Sequence, residues 1–121
     1  MRQILGRHPS AKLKVFVIWS PILAKDSRPA AEKASGFLPD PRVQHFWDVG
    51  RFVSRAYTTQ FAFPKGRVAW DLFVAYKAGI NWRQPLEPAF WLLNLDLPIG
   101  TKYTPELLEK KLAPMLVGIK N

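Results

Sequence analysis

The chain reads as a single α/β domain spanning residues 1–121, and three observations lead there. Short apolar runs rich in β-branched and aromatic residues alternate with segments of helical periodicity. The joints between them hold Pro, Gly or Asp, the residues that start and stop elements. The length of 121 residues with 48% hydrophobic content suits one core and is too short for two.

Taken in order, Met1 to His8 ("MRQILGRH") resembles the tail of a helix, with Ile4 and Leu5 apolar and Gly6 and Pro9 closing it. A helix this short is unstable alone, so the sequence reads as though something preceded it. Lys12 to Trp19 ("KLKVFVIW") is a near-continuous apolar run, expected as a strand buried on both faces of a parallel sheet. In "KDSRPAAEKASGF", Ser27 or Asp26 offers an N-cap, Pro29 falls in the first turn and Gly36 stops the helix.

Arg42 to Trp47 is expected as a second strand running into Asp48, which is placed to accept N–H groups at the start of the next helix. From Gly50 to Gln60 that helix carries an apolar stripe of Phe52, Val53, Ala56 and Tyr57. Arg67 to Tyr76 reads as a third strand and Ala89 to Leu95 as a fourth, antiparallel beside it. Thr104, Pro105 and Glu106 open a last helix whose buried face is Leu107, Leu108, Leu112 and Met115, and which Pro114 should end or kink. The two Trp-Asp pairs, Trp47-Asp48 and Trp70-Asp71, do not mark a repeat, because helix follows the first and strand continues through the second.

Composition excludes several classes of function. There is no cysteine, so disulfides, thiolate metal sites and thiol redox chemistry within the chain are ruled out. No apolar run is long enough to span a bilayer, and no signal-peptide pattern is present, so the chain as written reads as cytoplasmic with no membrane partner. Eighteen Lys and Arg against nine Asp and Glu leave a net charge of +9, which attracts nucleic acid or an acidic protein partner. The basic residues are dispersed and form no obvious stripe.

Candidate site residues are few. His45 and Asp48 have the chemistry for a metal or an acid–base pair, but two ligands do not make a site, and capping is the simpler role. Asp71 lies in an apolar stretch; if buried, it needs Arg67, Arg42 or backbone donors as partners. Ser20, His45 and Asp71 lack the elbow and oxyanion loop of a hydrolase. No Gly-rich phosphate loop is present, and no cofactor is indicated. The tryptophans are expected mainly in core packing, with loop residues Trp82 and Arg83 the exception as a surface contact.

The phrases "VFVIWSPIL", "DPRVQHFWD" and "VAWDLFVAYKAGINW", with "TPELLEKKLAPML" as the closing helix, resemble the thioredoxin-like superfamily, on the branch of peroxiredoxins and periplasmic thioredoxin-like reductases. More narrowly they are similar to a group of bacterial thioredoxin-like proteins. The resemblance covers roughly residues 1 to 117 and implies a three-layer sandwich, here N-terminally incomplete. Its mixed sheet would carry a C-terminal antiparallel pair and a closing helix. The family's redox chemistry resides in a Cys-x-x-Cys that this chain lacks, and where the family places a proline, just before the strand that matches Arg67 to Tyr76, this chain has Val68 and Ala69. No catalytic residue is carried over. The implied protein is a truncated family member or a structural or binding derivative without thiol redox activity of its own; with no recognisable catalytic motif, enzymatic activity of the chain on its own is not expected and is left open. The alternatives are a basic module for nucleic acid or an acidic partner, and the distal part of an oxidoreductase with cysteines upstream of Met1. An incomplete sheet implies repair by rearrangement, by a strand-donating protein partner or by a homodimer.

Overall fold

The expected order of elements is present. Helix α1 (Arg2–Arg7) precedes β1 (Val15–Trp19), α2 (Arg28–Ser35), β2 (Val43–Trp47), α3 (Phe52–Gln60), β3 (Leu72–Ala75), β4 (Phe90–Leu93) and α4 (Pro105–Val117). The computed structural model describes residues 1–9, 12–81 and 86–117. Among them it shows a mixed α/β fold with two small sheets in place of one mixed sheet: β1 and β2 pair in parallel, β3 and β4 antiparallel. No five-stranded sheet forms among the described residues.

The helix starts follow local chemistry. Ser27 Oγ accepts the Ala30 N–H, and Asp26 instead closes the turn before it by accepting from Ile22 and Leu23. Thr104 Oγ1 accepts from Leu107 at the start of α4. Asp48 accepts from Phe52 at 3.0 Å and Val53 at 2.8 Å, so its carboxylate stands over the first N–H groups of α3 as expected. Replacing Asp48 with alanine should therefore cost about 1 kcal/mol of stability. A denaturant titration checks this, and a loss indistinguishable from zero would show that the cap contributes nothing.

The core is centred on Ile4, Leu92, Leu108 and Leu112, with Phe73, Phe90, Tyr103 and Met115 among those packed around it. It therefore joins α1, the β3–β4 pair and α4. The apolar i, i+4 spacing of Leu108 and Leu112 makes the inward face of α4. That helix runs on through Pro114 to Val117, so the proline does not end it. Phe61, just past the end of α3, bridges that helix to β4: Tyr57 stacks on it at 5.4 Å and it stacks on Trp91 at 4.2 Å between ring centroids. Gly100, with φ of 66°, lies so close to the Trp91 ring that any Cβ would collide with it.

Several expectations about faces are corrected. The strand run is not buried on both faces: exposure alternates along β1 and β2, with Phe16 49%, Ile18 37% and Phe46 47% exposed. Three of the four apolar stripe residues of α3, Phe52, Val53 and Ala56, point outward, with Phe52 72% exposed, while Tyr57 is half-buried against Phe61. Beside Tyr57, the inward side of the helix carries hydroxyls. Ser54 Oγ donates to the Ala69 carbonyl and Thr58 Oγ1 accepts the Ala69 N–H, satisfying both backbone groups of a buried residue. Strand β3 begins only at Leu72, and Trp70 is exposed rather than in the core.

Asp40 and Arg42 tie β2 to α1. Arg42 donates to both Asp40 oxygens and to the carbonyls of Leu5 and His8. The hydrogen bonds from the Arg42 side chain and backbone hold the Asp40 carboxyl at about 2, down from its ordinary 3.8. A carboxyl depressed in the folded state contributes stability above its unfolded value, and that contribution is lost as pH falls toward 2. Thermal melts between the two values should show wild type losing stability more steeply than Asp40→Asn. Parallel curves would overturn the assignment.

Candidate functional site

The parallel pair supplies both regions where function can be sought. Its register sets Val17 opposite His45 and Trp19 opposite Trp47. With period-2 alternation, one face carries Val15, Val17, Trp19, Val43, His45 and Trp47, all half-buried. The other carries Phe16, Ile18, Gln44 and Phe46, all exposed.

On the half-buried face, Trp19 and Trp47 with Ser20, Ser27 and the alanines of α2 border a shallow cleft of about 210 Å³. It lies at the C-terminal ends of the parallel strands, the customary ligand position of parallel sheets. His45 adjoins it. The Trp19 indole N–H donates to His45 Nδ1 at 3.1 Å, and the two rings lie nearly parallel with centroids 6.2 Å apart. Because Nδ1 accepts, Nε2 carries the proton of the neutral ring. Nε2 is buried and has no partner among the described residues.

That arrangement decides what His45 does. A general base of the hydrolase type donates from Nδ1 to a carboxylate and accepts at Nε2. Here the polarity is reversed, so His45 is not set up as a base. Asp48 is engaged with α3, and Asp71 is exposed, in the left-handed region with φ of 53°, accepting from Asn94 Nδ2 at 3.1 Å. Being exposed, Asp71 does not meet the condition under which Arg67, Arg42 or backbone donors were expected to pair with it, and its side-chain partner here is Asn94. The three candidate polar residues form no joint site. Among the described residues no group of three or more His, Asp or Glu could hold a metal ion. Trp82 and Arg83 lie outside the described residues.

Sequence reasoning missed the second region, the exposed face. Its signal was the parity of "KLKVFVIW": Lys12, Lys14, Phe16 and Ile18 alternate with Leu13, Val15, Val17 and Trp19, and exposure follows that alternation from residue 12 to residue 19. Phe16 and Phe46 sit on adjacent strands with ring centroids 6.0 Å apart and planes tilted by 42°. No acidic residue occurs in β1, in β2 or between Lys12 and β1. Comparison with protein-family models, with curated proteins and with solved structures finds no match. None of the described helices is long and apolar enough to cross a membrane.

Proposed function

We propose that this chain is a thioredoxin-like α/β protein without thiol redox activity of its own, working as a binding module through the open face of its parallel strand pair. The observation that carries the reading is that face. Parallel strands are ordinarily covered on both sides, whereas Phe16, Ile18 and Phe46 here meet solvent. The order of βαβ unit, helix, antiparallel pair and closing helix supports the thioredoxin-like part. The lack of cysteine and the accepting Nδ1 of His45 support the non-catalytic part.

Photo-crosslinking in cells tests this. A benzoylphenylalanine in place of Ile18 should give an adduct with a second macromolecule, and one in place of exposed Lys33 on α2 should give far less. Equal labelling at the two positions, or none at Ile18, would overturn it.

A further inference from the structure

We propose that the open face of β1 and β2 binds single-stranded nucleic acid, with bases stacking on Phe16 and Phe46 and with Lys12 and Lys14 meeting backbone phosphates. This rests on the binding-module reading and adds the chemistry of the occupant.

Three features on that face converge. First, two phenyl rings on adjacent strands are about half exposed, 49% and 47%, and aromatic rings on a sheet surface are sequence-tolerant stacking platforms for unpaired bases. Their 6.0 Å separation exceeds the ~3.4 Å advance per nucleotide of a stacked strand, which suits two neighbours of a partly extended one. Second, Lys12 and Lys14, just before β1, are exposed and keep the alternation that runs on through Phe16 and Ile18, and two residues of extended chain put Lys14 about 7 Å from Phe16. That is one nucleotide's reach from a stacked base to its phosphate. Third, Gln44 is exposed in register with Phe16, offering an amide donor and acceptor to a base edge.

Charge supports the choice of occupant. The chain carries +9 overall. Neither strand contributes an acidic side chain, and Glu32, which lines a small cleft together with Phe46, is already paired with Arg28 at 3.1 Å. A second copy would bring Lys12 and Lys14 against a like-charged molecule, and the face would not favour it. A duplex hides its base faces from the two rings.

Fluorescence anisotropy with a labelled oligo(dT) of about 15 nucleotides tests the proposal in the full chain. Wild type should bind at low salt, with affinity falling as salt rises. Phe16→Ala with Phe46→Ala should weaken binding roughly a hundredfold, about tenfold per ring, while Phe46→Trp should retain it. Lys12→Ala with Lys14→Ala should reduce the slope of log affinity against log salt by roughly 1.4, the share of two single-strand phosphates. All four side chains are exposed, and circular dichroism of each variant confirms that it is folded. No binding by wild type, unchanged affinity in the double phenylalanine variant, or equal affinity for duplex overturns the proposal. If oligo(dT) does not bind but the residue placed at position 18 crosslinks to a protein, the binding-module reading stands and the nucleic-acid assignment falls. If neither occurs, both fall.

Discussion

Leu92→Ala should lower the stability of this chain by about 2–5 kcal/mol, the range for removing a buried leucine side chain. Leu92 is wholly inaccessible to solvent and stands in the cluster with Ile4, Leu108 and Leu112, where α1, β4 and α4 meet. Truncation forfeits its transfer free energy and leaves a cavity that three separate elements would have to move to fill. Since domains are stable by only about 5–15 kcal/mol in total, the variant should be close to unfolding at physiological temperature. Urea titration of Leu92→Ala beside Leu23→Ala makes the comparison. Leu23 is 43% exposed, and its loss should lie within about 0.5 kcal/mol of wild type. A cost below about 1 kcal/mol at Leu92 would mean that the four-residue cluster is not the core.

Arg42→Ala should cost about 2–3 kcal/mol, with an effect concentrated in α1. Among the described residues the guanidinium donates to the Asp40 carboxylate, to the Leu5 carbonyl at 2.9 Å and to the His8 carbonyl at 2.6 Å. Charge-assisted bonds of this kind are among the stronger ones. They also place a cation at the C-terminal end of a six-residue helix that cannot persist alone. Arg42→Lys should recover less than half of the loss, because an ammonium cannot reproduce the planar fork. Amide hydrogen exchange reads the location: protection at Leu5 and His8 should fall before protection in β3 and β4 does. Uniform loss across the molecule would show that Arg42 supports the global fold and not the attachment of α1.

What could be read from the sequence was local. Ser27, Asp48 and Thr104 announce helix starts because a side-chain oxygen needs only the next three to five residues to act. The antiparallel partnership of the last two strands was legible for the same reason, being a near-neighbour pairing. Faces were not. "VFVIW" is apolar at every position, so its composition is compatible with burial on two sides or one, and only the partner layer decides. Most of the stripe on α3, all but Tyr57, faces outward because Ser54 and Thr58 have a use for their hydroxyls 11 to 15 residues further on, at the backbone of Ala69. The environment of His45 depended on the register of β1 against β2, which brings Trp19 to it across 26 residues. The exposed row from Lys12 to Ile18 was legible in parity alone, once the strand was no longer assumed to be covered on both faces.

The meeting of α1 with α4 has a consequence for how the molecule comes to exist in a cell. Ile4 waits for Leu108 and Leu112, so the closing contacts span nearly the whole chain. Non-local closure of this kind folds slowly, because the entropy of a long loop is lost before its contacts form. A nascent chain on the ribosome can assemble β1, α2 and β2 early, yet its core leucines stay uncovered until α4 has cleared the exit tunnel. Synthesis therefore has an interval in which the half already made displays Phe16 and Phe46 while the half that buries Leu92 is still unfinished, and chaperone demand should peak there.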